Sequence, residues 1–179
     1  MTPILSEGRA SVLPVFSEIR TERLLLRRLT EADRADVVRI QTDPRTNVHH
    51  PRPPDEEESD AKFDSWLDDW ATHGFGYLPV RALSGQVLGV GGLQLRVFGA
   101  EEVLNLYYRF LPEAWGRGYA TEMAEAVIAW AEEAVPEYPV QISVSVTNQP
   151  SLNVAKRLGF ATFAETLHEG AITRHFRRD

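Results

Sequence analysis

The feature that most constrains this chain is a predicted strand, glycine turn and helix in the run LNLYYRFLPEAWGRGYATEM, residues 104–123. The strand pattern ends at Pro112, and Gly116-Arg117-Gly118 leads directly into a helical pattern of apolar residues. The first amides of a helix have no internal partners, and together with the helix dipole they form an anion site. Glycines also let the backbone approach phosphate oxygens closely. The turn therefore suits a diphosphate group.

The same turn argues against two common nucleotide sites. It lacks the Lys-Ser/Thr pair of a nucleoside-triphosphate P-loop and the first glycine of the dinucleotide fingerprint. A nucleotide-binding protein, which would show affinity for ATP or NAD, is therefore disfavoured, whereas the pyrophosphate of coenzyme A would fit. Taken alone the turn is weak evidence, because a short turn into a packed helix needs no ligand.

A second motif lies near the end of the chain in the run SVTNQPSLNVAKRLGF, residues 145–160. A β-branched strand ends at Thr147, and Asn148 stands where a helix begins, with Pro150 in its first turn. Asn148 is either a helix N-cap or a side-chain amide that faces a bound ligand, and the two roles are compatible. Gly159 is a good residue to end the helix.

The rest of the chain alternates strand and helix patterns, with no repeats and no low-complexity linker. The predicted strands are 19–29, 77–83, 87–97, 103–111, 140–147, 160–167 and 171–176. A first predicted helix begins at Thr30, and the others are 55–72, 119–135 and 150–158. Short turns at 84–85 and 98–100 favour antiparallel neighbours. The order βααβββαβαββ predicts an α/β (α+β) domain built on a mostly antiparallel sheet.

We expect one domain, 19–179, preceded by an N-terminal extension, 1–18. The extension lacks the basic start and long apolar run of a secretory signal. Its apolar residues favour docking on the domain or on a partner; they are Val12, Leu13, Val15 and Phe16.

Charge and cysteine content argue against several classes of function. The formal net charge is −7, which argues against a broad basic surface for nucleic acid. No stretch approaches the roughly 18–20 apolar residues that span a bilayer. The sequence contains no cysteine, which excludes a disulfide framework, a thiolate metal site and a cysteine nucleophile. We therefore expect a cytoplasmic protein with no nucleic-acid, membrane or metal partner.

Three ordered motifs make the chain resemble the GNAT superfamily of N-acetyltransferases. They are IRTERLLLRRLTEAD at 19–33, YYRFLPEAWGRGYATE at 107–122, and N-x-x-S-x-x-V-A-K-R-L-G-F at 148–160. Within the superfamily the sequence is similar to the branch that includes the Rim-type ribosomal-protein alanine N-acetyltransferases. The resemblance covers roughly residues 19 to 177.

The resemblance implies a GNAT fold with about seven strands, splayed between the fourth and fifth, and four helices. Acetyl-CoA would lie between those two strands, 103–111 and 140–147, and pair with backbone groups as an added strand does. Metal is not required. The residues that the resemblance assigns to the cofactor are Phe110, Leu111, Trp115, Gly116, Arg117, Gly118, Tyr119, Ala120, Thr121, Asn148, Ser151 and Asn153.

The resemblance also implies direct attack of a neutral amine on the thioester. A backbone N–H near Phe110 or Leu111 would hold the oxyanion. Many relatives protonate the leaving thiolate with a tyrosine, whose place Ala155 takes here. The Rim-like branch offers a serine, Ser151, as the candidate catalytic residue; an ordinary first-turn serine is the alternative.

The acceptor amine is expected beside the loop between the first two helices, where His49 and His50 lie, and beside Tyr107 on the strand. No base stands out, since Asn105 lies where many relatives carry Glu. An α-amine has a pKa of roughly 7.7–8.0 and needs a base less than lysine does, at roughly 10.4. This favours a protein N-terminus or a small amine of low pKa.

Two further alternatives remain open from the sequence. The chain could be a non-catalytic sensor or scaffold that binds acyl-CoA, and it could form a homodimer through the closing strands or the N-terminal extension. The second helix is strongly acidic, with a run of four acids at 55–58. Such a run is typical of a solvated face, and it would also attract a cationic acceptor.

Overall fold

A single eight-stranded sheet organises the molecule in the computed structural model, which describes residues 15–168 and 170–178. The strand order is β1-β2-β3-β4-β5-β6-β8-β7, and among these neighbours β5 and β6 are parallel while the others are antiparallel. The strands are β1 (Ile19–Arg20), β2 (Leu24–Leu26), β3 (Tyr77–Ala82), β4 (Val87–Phe98), β5 (Glu101–Phe110), β6 (Val140–Ser145), β7 (Ala161–His168) and β8 (Ala171–Arg177). The helices are α1 (Arg34–Thr42), α2 (Glu56–His73), α3 (Tyr119–Ala134) and α4 (Gln149–Arg157).

The first predicted strand, 19–29, is wrong as one element, because a tight turn divides it into β1 and β2. The Thr21 amide donates to the Leu24 carbonyl at 3.0 Å, and the Leu24 amide donates to the Thr21 hydroxyl at 2.9 Å. The two short strands pair with each other. This division accounts for eight strands instead of about seven.

The predicted helix start at Thr30 is a single 3-10 turn, 31–33, which continues into α1. The fully buried Asp33 carboxylate accepts from the Thr30 amide at 2.9 Å and pairs with Arg27 and Arg81 at 2.9 and 2.6 Å. Burial acts to raise the pKa of Asp33, but the hydrogen bonds outweigh burial and lower it. The charge pairs join the segment after β2, the start of α1 and β3.

Different helices pack on the two faces of the sheet. The adjacent residues Tyr107 and Tyr108 point to opposite faces and identify the helix on each. The Tyr107 ring faces Trp66 of α2, whereas Tyr108 lies beside Met123 of α3 near Gly91. The predicted apolar side of α3 is confirmed as core, and Trp66 and Trp70 of α2 are also buried in the core. We call the Tyr107 side the α2 face and the Tyr108 side the α3 face.

The described end of the N-terminal extension docks against the domain. The Phe16 ring packs edge-on against Trp70 at 5.4 Å and Trp130 at 5.0 Å between ring centroids. Val15 beside it is 80% exposed. Val12 and Leu13, which the sequence also assigned to docking, lie outside the described residues. None of the helices in the described part of the chain is long and apolar enough to cross a membrane.

Candidate functional site

The sheet opens between β5 and β6 shortly after the two strands begin to pair. Their register runs only from Leu104 opposite Val140 to Leu106 opposite Ile142. Beyond that point β6 continues beside β8, while β5 continues to Phe110 beside β4 with no register shift. The splay therefore needs no bulge in the β4–β5 ladder. We call this opening the fork.

Backbone groups of β5 line the fork. The Leu104 amide donates to the Pro139 carbonyl, on the β6 side of the strand, at 2.9 Å. Because backbone groups alternate sides along a strand, the N–H groups of Tyr108 and Phe110 point to the same side. The β6 backbone has moved away at that level. The second half of β5 therefore presents a strand edge to which an extended amide-bearing ligand can add.

The glycine turn lies where the fork meets the start of α3. Gly116 has φ 70° and Gly118 has φ 79°, a left-handed conformation that favours glycine. The first hydrogen bond of α3 is donated by the Glu122 amide to the Gly118 carbonyl at 3.0 Å. The amides of 119–121 precede that bond, so they are the N-terminal donors that can meet an anion. We call residues 115–121 the α3 loop.

A carboxylate in the first turn of α3 is neutralised by the turn between β1 and β2. Glu122 accepts from the Thr21 hydroxyl at 2.6 Å, from the Arg23 amide at 2.9 Å and from Arg23 Nε at 2.7 Å. Burial acts to raise the pKa of Glu122, and these hydrogen bonds outweigh it and lower the pKa. The pairing keeps a negative charge at the helix start from repelling a phosphate.

Arg23 also holds the α3 loop directly. Its Nη1 donates to the Arg117 carbonyl at 2.7 Å, and its guanidinium lies 4.7 Å from the centroid of the Tyr119 ring. In the sequence, Arg23 is part of the motif at 19–33 and has no predicted role of its own. The contact shows that the motif at 19–33 packs against the start of α3, which contains the ATE sequence of residues 120–122. The spacing of the two motifs in the sequence does not reveal this packing.

The end of β5 narrows the choice of oxyanion donor. The Leu111 amide donates to the Leu88 carbonyl at 2.9 Å, within the sheet. The predicted cofactor residue Trp115 is half-exposed and donates from Nε1 to the Phe110 carbonyl at 2.8 Å. Of the two predicted donors, the amide of Phe110 faces the fork and that of Leu111 does not.

The second motif forms α4 as expected at its start. The Asn148 side-chain oxygen accepts from the Ser151 amide at 3.2 Å, which confirms the N-cap role. Ser151 is half-buried in the first turn, whereas Asn153 is exposed and its side-chain oxygen accepts from Gln149 at 2.9 Å. Ala155 is fully buried. The structure thus turns Ser151 inward and Asn153 outward.

Tyr108 is a candidate site residue that sequence reasoning missed. Burial raises the pKa of Tyr108 to about 12, and the nearby Ser151 side chain acts to lower it. The Tyr108 hydroxyl is nevertheless buried with no partner of ordinary hydrogen-bond geometry among the described residues, and so is the Thr121 hydroxyl. Both positions border the fork through β5 and the α3 loop. The sequence predicts a role at the acceptor side for the neighbouring Tyr107 and none for Tyr108.

Tyr107 lies on the α2 face, in an aromatic cluster. In the sheet register Gly92 stands between Tyr77 and Tyr107, and the two tyrosine rings are 5.0 Å apart. Trp66 packs edge-on against Tyr77 at 5.0 Å, and Asn105 donates to the Tyr77 hydroxyl at 2.7 Å. Burial raises the pKa of Tyr77 to about 12. These side chains flank the fork from the side opposite Ser151.

The two predicted acceptor histidines lie in the loop that follows α1. Arg109 of β5 donates to the Gln41 carbonyl at 3.1 Å and to the Asn47 side chain. The next loop residues, His49 and His50, are exposed. Arg109 also interacts with the Tyr107 hydroxyl. The structure therefore links the histidine loop to Tyr107 through Arg109, and the described residues contain no cluster of three or more potential metal ligands.

Comparison with known proteins identifies the family. Residues 23–161 match the family model described as an acetyltransferase (GNAT) domain. The chain belongs to the GNAT acetyltransferase family. It is therefore an acetyltransferase, of a family that uses acetyl-CoA.

Solved structures share the fold of this GNAT protein over nearly all of the chain. An acetyltransferase from Agrobacterium tumefaciens is 27% identical with a TM-score of 0.77, covering 96% of this chain and 100% of its own. The ribosomal-protein-S5-alanine acetyltransferase from Vibrio fischeri is 17% identical with a TM-score of 0.70, covering 91% and 96%. RimL, a ribosomal L7/L12 alpha-N-protein acetyltransferase in complex with coenzyme A, is 16% identical with a TM-score of 0.73, covering 90% and 97%. The resemblance to the GNAT superfamily inferred from the motifs is confirmed, and the Rim-type enzymes among these structures have the same fold.

The residues around the fork fit coenzyme A. The α3 loop offers amides at a helix start beside the positive charge of Arg23, which suits a diphosphate. The β5 edge at Tyr108 and Phe110 suits the amides of a pantetheine arm. The buried hydroxyls of Tyr108 and Thr121 lack protein partners among the described residues, and a polar ligand in the fork would satisfy them.

Proposed function

We propose that this enzyme transfers the acetyl group of acetyl-CoA to a primary amine by direct attack. The acceptor is the α-amine of a protein N-terminus or a small-molecule amine. The observation that carries the proposal is the fork, whose open β5 edge leads from the α3 loop to a point reachable from both faces of the sheet. An amine on the α2 face can therefore meet a thioester held from the α3 face.

The cofactor-binding residues divide by the part of the ligand that they would hold. The amides of 116–121 would bind the diphosphate, with Trp115 and Arg117 flanking it on the exposed side. The edge at Tyr108 and Phe110 would hold the pantetheine arm, and Leu111, whose amide is bonded to Leu88, would only border it. Asn148, Ser151 and Asn153 would border the arm from α4, with Ser151 nearest to the fork because it lies beside Tyr108.

The reaction requires the protein to position the amine against the thioester and to donate one proton to the leaving thiolate. An amide of the open β5 edge, that of Tyr108 or Phe110, would stabilise the oxyanion, which is a large effect when donors are preorganised. Ser151 would give its hydroxyl proton to the leaving thiolate, and the adjacent Tyr108 hydroxyl would hold the serine in place. With no cysteine in the sequence, a cysteinyl acyl-enzyme is excluded. Positioning of the amine against the thioester supplies the rest of the acceleration.

An α-amine is the favoured acceptor class. At neutral pH roughly a tenth or more of an α-amine with a pKa near 7.7–8.0 is neutral, about three pKa units better than lysine. His49, His50 and Tyr107 would line its approach. RimL, whose name describes an alpha-N-protein acetyltransferase, has the same fold, and this likeness supports a protein N-terminus as the target.

Thiol release from acetyl-CoA tests the proposal. The wild-type enzyme would be given three acceptors in turn: peptides with a free α-amine, N-terminally blocked peptides with one lysine, and small amines. We expect fastest release with the free α-amine, and a peptide product heavier by one acetyl group. Acetyl-CoA binding without thiol release for any amine would instead identify a non-catalytic acyl-CoA sensor or scaffold.

A further inference from the structure

A buried glutamine on the α2 face donates a hydrogen bond from its amide nitrogen, whereas its amide oxygen has no partner among the described residues. Gln94 is 2% exposed, and its Nε2 donates to the Asp69 carboxylate of α2. A carboxylate only accepts hydrogen bonds, so the amide nitrogen must face Asp69 and the amide oxygen must face away. That oxygen is buried and has no partner within the described ranges.

This glutamine lies next to the fork. Gln94 of β4 is directly opposite Asn105 of β5, and directly opposite residues project on the same face of a sheet. Asn105 donates to Tyr77 on the α2 face. Asn105 immediately precedes Leu106, the last β5 residue in register with β6. The Asp69–Gln94 pair therefore stands one strand away from the fork, on the side from which an acceptor would approach.

A second buried group on the α2 face also lacks a partner in the described part of the chain. Trp66 is 2% exposed, and its indole Nε1 donates to nothing there. An indole N–H only donates, whereas the Gln94 oxygen only accepts. Buried polar groups are normally hydrogen-bonded. A peptide N-terminus offers both complements, an amine N–H for Gln94 and a carbonyl oxygen for Trp66.

The other acidic side chains described near this face form ion pairs or are exposed to solvent. Asp64 pairs with Arg34 at 2.5 Å, and Glu113 pairs with Arg45 at 3.0 Å. Asp68 is exposed. The carboxylate of Asp69 is half-buried and directed to the sheet by Gln94.

Besides His73, which lies four residues after Asp69 on α2, the titratable or charged side chains described around this pair come from the neighbouring strands. They are the hydroxyls of Tyr77 and Tyr107, whose pKa values burial raises, and the guanidinium of Arg96, which acts on Tyr77. Both tyrosines are neutral at neutral pH, and an arginine does not release a proton there. Asp69 is thus the carboxylate placed to receive a proton beside the fork.

We propose that Asp69 is the proton acceptor for the attacking amine and that Gln94 orients both; this role rests on the proposed amine acetylation. The ammonium gives one proton to the Asp69 carboxylate while its N–H donates to the Gln94 oxygen. The neutral nitrogen then forms the C–N bond, the C–S bond breaks, and the thiolate takes a proton from the α3 face. The new amide loses its second proton to solvent, as Asp69 later does, and the donor on the α3 face regains its proton from solvent. The net change is ammonium plus acetyl thioester to acetamide, thiol and one proton.

Asp69→Asn tests this role, because asparagine keeps an oxygen that can accept from Gln94. Thiol release is measured with a free α-amine tripeptide at saturating acetyl-CoA, from about pH 6 to 9. We expect kcat/KM to fall about 100-fold at neutral pH, with the deficit shrinking as pH rises and the amine loses its proton unaided. The dissociation constant for coenzyme A should stay unchanged. Asp68→Asn, one residue away and exposed, is the matched control and should match the wild type.

The results distinguish failure of the role proposed for Asp69 from failure of the proposed amine acetylation. A variant within about twofold of the wild type at every pH, or equally impaired at every pH, would overturn the role of Asp69 while leaving amine acetylation standing. Absence of thiol release in the wild type with every amine would overturn the proposed function and this role with it. A weakened coenzyme A affinity in Asp69→Asn would mean that the residue acts on cofactor binding or folding instead.

Discussion

Arg23 Nη1 donates a 2.7 Å hydrogen bond to the main-chain oxygen of Arg117, the residue between the two glycines of the α3 loop. The same guanidinium is held by Glu122 at the start of α3. The turn between β1 and β2 thereby fixes both the shape and the charge of a loop 94 residues further along the chain. This contact gives the N-terminal strands a direct part in the proposed binding of coenzyme A.

Arg23→Ala should weaken coenzyme A binding. The loop would lose its tether, and the Glu122 carboxylate would face the diphosphate without its partner. We expect the dissociation constant to rise about tenfold, equivalent to about 1.4 kcal/mol, as measured by titration calorimetry. Arg20→Ala is the control, because Arg20 is exposed and its ion pair with Glu18 is long, at 3.6 Å. Equal affinity in the Arg23 variant and the control would refute the tether.

Gly116→Ala tests whether the conformation of the α3 loop affects coenzyme A affinity separately from its effect on folding stability. Gly116 and Gly99 both have positive φ, 70° and 64°, and an added Cβ at either meets no described atom within 4 Å. Each substitution should therefore cost about 1–2 kcal/mol of folding free energy from backbone strain alone. Only Gly116→Ala should also reduce coenzyme A affinity, because Gly99 lies in the β4–β5 turn. Urea unfolding and calorimetry on both variants check this; equal affinities would show that the loop tolerates the change.

The sequence predicts the elements that carry regular patterns and strong turn signals. The helix 55–72 and the hairpin strands around 84–85 agree closely with α2, β3 and β4, because helical periodicity and glycine turns are local signals. The segment 19–29 was wrong because its leucine-rich run continues across the turn that Thr21 forms with Leu24. A side-chain-capped turn without glycine or proline leaves little trace in a strand pattern.

Tyr108→Phe and Ser151→Ala should lower kcat while leaving the KM for acetyl-CoA nearly unchanged. The Tyr108 hydroxyl is buried without a partner in the part of the chain that the structure describes, so its removal should change the folding free energy by less than about 1 kcal/mol. If the pair protonates the thiolate, each variant should lose about 10²-fold or more in kcat. Steady-state kinetics at neutral pH check this. Acetylation by Ser151→Ala at the wild-type rate would dispose of the acid role.

His175 should make stability depend on pH. Its two ring nitrogens contact the Ser143 and Thr166 hydroxyls, each at 2.8 Å, and burial lowers the pKa of His175. The unfolded state therefore binds the proton first, below about pH 6.5, and stability should fall as pH decreases from there to the folded pKa. His175→Asn should flatten the curve in that window. Urea unfolding at a series of pH values checks it; parallel curves for the two proteins would contradict the assignment.

The sequence predicts the parts of the site that depend on local backbone geometry. It does not predict contacts between side chains that are far apart in the chain. The α3 loop and the Asn148 cap follow from glycine and N-cap chemistry, which are local. A role for Tyr108 could not be predicted, because strand alternation shows that Tyr107 and Tyr108 face opposite ways but not that Tyr108 lies beside Ser151. Asp69 is one of several acids on the second helix, and only its contact with Gln94 distinguishes it from the others.

A crystal structure with acetyl-CoA tests the central claim most directly. We expect the diphosphate within hydrogen-bond distance of the amides of 116–121, the pantetheine arm along the open β5 edge at Tyr108 and Phe110, and the acetyl group at the end of that edge where β5 and β6 part. Asn105 and Gln94 should border that end of the fork on the α2 face. A fork that stays empty, or one closed by the side chains of β5 and α4, with the ligand bound elsewhere, would contradict the account.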